Sequence, residues 1–475
     1  MVPNIFAYAM LYLWPVIAGL GFRALPLNRA IICSSLAGFL LLPSAVTVEL
    51  PGLPDLSKNS IILIGIITAY VGHRRPRRAE MVPRSSLFMM ALLFASALGT
   101  VLTNGDPLLG PRLYIPNLTL YDMLGATFNN ILIISVVVIG TRTLSRKEDH
   151  REMLLLLGAA MILYSVPALL EIRISPQFHK WVYGIYPANF DQQMRGGGYR
   201  STVFMSHGLV LAWFLAMAIT ALMALRRSKV RLFKGRVWAW SAYLWVVLFF
   251  QKSFGALMLG GVMCLALLMR PSRQIGFAAA VAMIFLAYPA VRGMGLIPVD
   301  WIHDKVAEYS TERAGSFGTR LTNEKQLMAK ANERPLFGWG GWGRAWIYHP
   351  VTGRNMSIAD GAWIIILGCN GWVGYLAHFG LICMPLLGLY RYRRKIPTET
   401  AGVAIILSGN LIDMIPNSSL TPITWLTAGA LTGALAAARR GTRISRAPRG
   451  YALAVGMKPV GMKPALASAA PRGQL

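Results

Sequence analysis

Long apolar runs recur along this chain, broken by short polar stretches. Each is close to the length a helix needs to cross about 30 Å of hydrocarbon. Thirteen of them centre near residues 5–22, 30–48, 57–72, 85–103, 121–141, 152–170, 201–225, 237–250, 254–269, 275–291, 372–390, 401–415 and 421–438. The runs at 57–72, 237–250 and 401–415 are short for a span. The pattern therefore predicts an all-α, polytopic membrane chain of 12–13 transmembrane helices. One large polar island, 294–361, interrupts the series. Within it, Trp301, Ile302, Lys305, Val306 and Tyr309 share a helical face over 300–312, with Asp300 as its N-cap. Gly315 and Gly318 are expected to break the chain there. A second helix is expected to begin at Thr319 or Thr322 and to stop before Pro335, with Leu321, Lys325, Met328, Lys330 and Ala331 near its inner edge.

Composition strengthens the membrane reading. Of 475 residues, 55% are hydrophobic and 14% charged, and mean hydropathy is +0.50. A soluble domain of this size could not hide so many apolar side chains. The net charge of +28 would suggest nucleic acid in a soluble protein, but its distribution argues otherwise. Of the 47 basic residues, 31 fall in alternate loops and the tail, beside only five acidic ones. They include Arg74, Arg75, Arg77 and Arg78, Arg226 to Arg236, and Arg391 to Lys395. This is the positive-inside pattern, so the charge reports topology and no nucleic-acid partner is expected. It sets the N-terminus and the 294–361 loop outside and the tail in the cytoplasm. Nothing basic precedes the first apolar run, which argues against a cleavable signal peptide. One membrane domain is expected over 1–440. The segment 441–475, rich in Arg, Ala, Pro and Gly and repeating Val-Gly-Met-Lys-Pro, reads as a disordered basic tail. Cys33, Cys264, Cys369 and Cys383 lack metal-type spacing and read as packing residues, and no metal or cofactor is expected.

The island concentrates arginines, glycines and tryptophans at a membrane surface, which suits an anionic, lipid-attached substrate. Arg320, expected at the start of the second helix, could grip a phosphate or pyrophosphate with help from the helix's positive end. Trp339, Trp342 and Trp346 offer flat faces, either as interface anchors or as platforms for sugar rings. Lys252 lies in Gln251-Lys252-Ser253, a polar break between two apolar runs, where it either meets an anion or snorkels to the interface. Arg195 and Arg200 flank Gly196-Gly197-Gly198-Tyr199 and make a flexible basic lip. For proton chemistry the candidates are Asp360, His349, His303 and His207. Asp360 also suits an N-cap for the helix starting at Gly361, and His349 is a lone loop histidine. There is no Walker-type loop, no paired metal carboxylates and no Ser/His/Asp spacing.

The run Arg320 … Pro335-Leu336-Phe337-Gly338-Trp339-Gly340 resembles the R … P-x-x-G-x-G signature of the O-antigen ligase and O-antigen polymerase-like superfamily. Asp360-Gly361-Ala362-Trp363-Ile364 … Leu367 … Gly371 … Gly374 is similar in spacing to its H-N-x-x-L … L … G … G segment. Arg200 … Phe204 and Lys252-Ser253-Phe254-Gly255-Ala256 resemble two further segments, so the likeness covers roughly 195–390. It implies an inverting, metal-independent glycosyltransferase of the bacterial inner membrane that takes glycan from an undecaprenyl-pyrophosphate carrier on the periplasmic side. Arg320 then matches the loop arginine that binds pyrophosphate, with Arg200 and Arg195 near it. Lys252 stands near a second arginine position, where Lys or Phe254 replaces Arg and bidentate geometry is lost. Asp360 occupies the position of the family's histidine, which leaves the base between Asp360 and His349. The reading favoured here is polymerisation of lipid-linked repeat units into exopolysaccharide or O-antigen, with membrane lipid, a flippase and a chain-length regulator as partners. A ligase moving glycan to lipid A core is the alternative within the class. A flippase for the same lipids is the alternative outside it, but that predicts an internal repeat and ionisable residues deep in several spans, and neither is found.

Overall fold

The computed structural model describes residues 2–50, 54–73, 80–187, 190–195, 197–228, 230–296, 305, 308 and 311–441. The helix expected over 300–312 lies outside them apart from Lys305, Glu308, Thr311 and Glu312, so nothing is assigned to Asp300, Trp301, Ile302, Val306 or Tyr309. His303, Arg74, Arg75, Arg77, Arg78 and the tail from 442 also fall outside.

The described chain is mostly helical. Its first half holds α1 (Ile5–Val16), α2 (Leu27–Leu41), α3 (Lys58–Val71), α4 (Arg84–Leu102), α5 (Leu120–Thr143), α6 (Lys147–Ile174) and the short α7 (Phe178–Tyr183). There follow α8 (Gly208–Ala224), α9 (Val237–Phe250), α10 (Phe254–Ala266), α11 (Pro271–Gly293), α12 (Thr311–Asn332), α13 (Ala362–Tyr390), α14 (Thr398–Asp413) and α15 (Pro422–Arg439). Four two-stranded antiparallel hairpins decorate the connections. Five helices, α4, α5, α6, α11 and α13, are long and apolar enough to cross a membrane, and shorter apolar helices accompany them. Every apolar run of the sequence became a helix.

The outer helices turn apolar side chains outward. Phe88 on α4, Leu124 on α5, Leu163 on α6, Phe249 on α9, Leu265 on α10 and Met283 on α11 are all more than half exposed. Soluble proteins rarely expose so much apolar surface, so these faces fit a hydrocarbon solvent. The interior is built from α8, α13, α14 and α15, and every side chain of α15 from Pro422 to Ala437 is buried. Small residues let α5 and α15 cross closely. A methyl added at Gly429 would come within 2.5 Å of the Val137 carbonyl, and one at Gly433 within 2.5 Å of the Thr141 carbonyl.

Three departures from the expected pattern shape the site. First, α8 begins at Gly208, so residues 201–207 form irregular backbone at the end of an apolar run. Second, α12 starts at Thr311 and runs straight through Gly315 and Gly318. Each glycine costs only about 1 kcal/mol in a helix, and burial of Leu327, Met328 and Ala331 holds its far end. Arg320 is therefore mid-helix, and a phosphate grip by a helix end at this residue is ruled out. Third, α13 starts at Ala362, ten residues before the apolar run at 372–390, and is broken at Gly371 (φ +62°).

That break explains the Pro-x-x-Gly-x-Gly run. Residues 335–340 lie in the gap and replace the lost helix bonds with their own backbone. Trp339 N and Gly340 N donate to the Gly368 and Cys369 carbonyls, while Trp372 N and Val373 N donate to those of Pro335 and Leu336, all at 2.8–3.1 Å. Gly338 (φ +70°) is required here, because a Cβ would sit 2.5 Å from the Gly371 nitrogen. Thr100 Oγ1 of α4 donates to the Phe337 carbonyl at 2.6 Å, and Asn104 Nδ2, just past the end of α4, donates to that of Gly338 at 2.9 Å. Arg344 is fully buried and closes the loop against 104–116, donating to the carbonyls of Trp339, Pro116 and Asp106.

Candidate functional site

The irregular stretch 200–208 is a cradle whose polar backbone is satisfied almost group by group. Arg200 N donates to the Gln193 carbonyl at 2.8 Å and Ser201 N to Gln251 Oε1 at 3.3 Å. Glu171, fully buried near the end of α6, accepts Thr202 N at 2.8 Å, Val203 N at 2.7 Å and Ser201 Oγ at 3.0 Å on one oxygen, and Phe178 N at 2.9 Å on the other. Phe204 N donates to Tyr164 Oη at 2.9 Å. On the acceptor side, the Phe204 carbonyl takes Lys58 Nζ at 2.9 Å and Ser44 Oγ at 2.9 Å. Lys58 is itself buried, with its ammonium 5.2 Å from the Phe39 ring centroid. A carboxylate thus holds the N–H side of the cradle and an ammonium its C=O side, which lets a non-helical segment persist among apolar helices.

This cradle positions cations drawn from two connections. Arg200 Nη2 donates to the Lys252 carbonyl, and Lys252 Nζ donates to the Arg195 carbonyl, both at 3.0 Å. Lys252 sits between α9 and α10 at φ +51°. Its approach depends on Gly198, where a Cβ would lie 2.5 Å from Nζ. Burial lowers the Arg200 pKa to about 10, and the nearby Arg195 and Arg320 charges add to the effect. The Arg200 Nε is buried without a hydrogen-bond partner, as are Gln193 Nε2 and Thr202 Oγ1. Orphaned polar atoms of this kind, gathered beside converging cations, point to a polar ligand.

Arg320 reaches this cluster from α12 and pairs with Asp360, Nε to Oδ2, at 3.2 Å. The two residues are about 40% exposed. Asp360 does not cap α13. The N-cap is Gly361, and the first helical N–H, at Ala362, goes instead to the Met414 and Asn417 carbonyls. One turn beyond Arg320, Glu324 pairs with Arg292 at 3.5 Å. Burial raises its pKa against the lowering pull of Arg292.

His207 is the N-cap of α8, and its Nδ1 accepts Leu209 N at 3.0 Å. That acceptor role leaves the ring proton on Nε2. Burial, reinforced by Arg200, Arg320 and Arg195, pushes its pKa down to about 4. Between pH 6.5 and 4 the unfolded chain therefore binds a proton that the folded chain refuses, and stability falls as pH drops through that window. An anion seated among these guanidiniums should cancel part of their field. NMR titration of labelled histidine is expected to find His207 neutral to about pH 4, and inorganic pyrophosphate should raise its pKa by about one unit or more. An unmoved titration would mean that the cations do not hold the anion.

The remaining sequence candidates lie apart. His349 Nδ1 accepts Val351 N and Thr352 N at 3.2 Å inside its own hairpin, and no described contact joins it to Arg320 or Arg200. Trp339 is buried, donates Nε1 to the Lys330 carbonyl at 2.7 Å, and carries Lys330 Nζ 3.6 Å from its ring centroid. It is a packing residue of the α13 break, with no ring face for a sugar. Trp342 and Trp346 are exposed, and Trp342 Nε1 donates to Asp122 Oδ1 at 2.6 Å. The sequence reading missed Glu171, Lys58 and Glu324. Glu171 did leave a signal, as an ionisable residue at the edge of a long apolar run, which is costly unless it is partnered.

Comparison with protein families, with curated proteins and with solved structures finds no match to this chain.

Proposed function

We propose that this protein is a membrane-embedded glycosyltransferase that extends a polysaccharide from polyprenyl-diphosphate-linked repeat units at the outer face of a bacterial inner membrane. In this reading it is polytopic, with the N-terminus outside and the tail inside, as the charge asymmetry of its loops favours. The observation that carries the proposal is the convergence of Arg195, Arg200, Lys252 and Arg320 around orphaned buried donors, with Asp360 at Arg320. Four cations from two connections and α12 repel one another, and a diphosphate seated among them would offset that repulsion.

The chemistry follows from the charges. An acceptor hydroxyl attacks the anomeric carbon of the donor, the bond from that carbon to the diphosphate oxygen breaks, and the configuration inverts. Arg320, Arg200 and Lys252 offset the negative charge that builds on the leaving diphosphate. Asp360 takes the hydroxyl proton. Its carboxylate is held by Arg320. An incoming diphosphate competes for that guanidinium, and Asp360 is released to act as base only when the donor is seated.

The test is chain growth by purified protein on lipid-linked repeat units, read on a gel. Asp360→Asn is expected to slow growth by about 10²-fold or more, while His349→Ala retains it. Loss with His349→Ala and retention with Asp360→Asn would move the base to the 347–356 hairpin. Retention in both would remove the proton-transfer scheme.

A further inference from the structure

Beside the cationic cluster lies an open cavity of about 440 Å³, lined by Asp191, Gln192, Met194, Arg195, Gly197, Gly198 and Tyr199. It is formed by the short hairpin that pairs Met194–Arg195 with Gly198–Tyr199. We infer that this cavity is a carbohydrate subsite, holding the sugar attached directly to the carrier diphosphate. The inference rests on the glycosyltransferase reading above and locates its sugar contacts on this hairpin rather than on the tryptophans of the 335–346 loop.

Its chemistry suits a sugar. Asp191 supplies a carboxylate acceptor, Gln192 both a donor and an acceptor, and Tyr199 a hydroxyl. Sugar hydroxyls need such mixed groups. An aromatic surface runs alongside, with the Tyr199 and Phe190 ring centroids 6.1 Å apart and those of Phe190 and Tyr186 5.5 Å apart. Rings present an apolar face to the C–H side of a pyranose.

Its position suits one too. The Arg195 carbonyl accepts Lys252 Nζ at 3.0 Å, so one wall of the cavity is bonded directly to the cationic cluster. The hairpin base is fixed by Gln193, whose carbonyl accepts Arg200 N and whose Oε1 accepts Gly208 N at 3.2 Å. Gln193 is 2% exposed, and its Nε2 has no partner. Arg200, 8% exposed, carries an orphaned Nε in the same segment. These are buried donors without acceptors at the junction of cavity and cations, where a sugar-phosphate oxygen would satisfy them. A diphosphate held by Arg200, Lys252 and Arg320 then has its first sugar at the mouth of this cavity.

The experiment compares two probes bound to full-length protein in nanodiscs: undecaprenyl diphosphate alone, and the undecaprenyl-diphosphate-linked oligosaccharide extracted from the protein's own host. Asp191→Ala and Tyr199→Ala are expected to weaken the glycan-bearing probe about 10- to 100-fold and to leave the bare diphosphate unchanged. Tyr199→Phe, which keeps the ring, should fall between Tyr199→Ala and wild type. Equal losses for both probes would overturn the subsite, because the cavity would then belong to the phosphate site. No loss for either would overturn it as well. If the wild type binds neither lipid, the glycosyltransferase reading fails on its own. The oligosaccharide released from the extract then decides the subsite: binding sensitive to Asp191→Ala keeps it, and no binding ends it.

Discussion

Arg320→Ala is expected to lower chain growth by about 10²- to 10³-fold, the loss typical when one preorganised donor to a developing anion is removed. The side chain sits in the middle of α12 and about 40% exposed, so the helix does not depend on it for burial and the protein should fold as before. Its removal also frees Asp360 from its ion pair. If Asp360 acted alone as the base, that release would raise the rate. The proposed scheme demands the opposite, because the diphosphate loses its counter-charge. Arg320→Lys should recover part of the rate, since charge returns without the planar fork. Growth and melting temperature measured on the same preparations separate the outcomes, and an active Arg320→Ala protein would sink the assignment.

Glu171→Ala carries the second large effect. The carboxylate accepts four hydrogen bonds, from Phe178 N, Ser201 Oγ, Thr202 N and Val203 N. Removing it strands three backbone donors, those of Thr202 and Val203 buried and that of Phe178 partly so, at about 1–3 kcal/mol each. That sum approaches the whole stability of an ordinary domain, so little folded protein is expected. Glu171→Gln is the informative variant. It keeps an oxygen for part of the set and turns an N–H₂ toward the rest, so thermal stability should fall while some folded protein survives. In the survivors, affinity for inorganic pyrophosphate should drop along with the melting temperature, because Arg200 and His207 leave the two ends of the same cradle. Wild-type melting in both variants would show that Glu171 does not hold the loop.

The helices were legible in the sequence, because a long apolar helix announces itself by local composition. All thirteen apolar runs correspond to helices, from α1 to α6, α8 to α11 and α13 to α15. What local composition could not reveal is what depends on distant partners. The shortfall of α8 at residues 201–207 is set by Glu171, Tyr164 and Lys58, which lie 30 to 146 positions away from the groups they bind there. The break at Gly371 is set by residues 335–340. The persistence of α12 across Gly315 and Gly318 is a matter of cooperativity, since two unfavourable residues do not stop a helix anchored elsewhere. Of the candidate site, Arg195, Arg200, Lys252, Arg320 and Asp360 were each singled out by residue type, and the structure gathers them. His349 and Trp339 were chosen by the same signals, but their ring nitrogens are spent on nearby backbone.

The plug at Gly371 has a consequence for biogenesis. A broken helix entering lipid alone would carry unmet carbonyls and amides into a medium that offers them nothing. Residues 335–340 precede α13 in the chain, so the polypeptide that mends the fracture has already been translated when the fracture emerges from the ribosome. On the membrane reading proposed above, insertion and docking can then proceed as one event. A circular permutant that delivered residues 335–340 after α13 would ask the bilayer to shelter an incomplete helix in the interim.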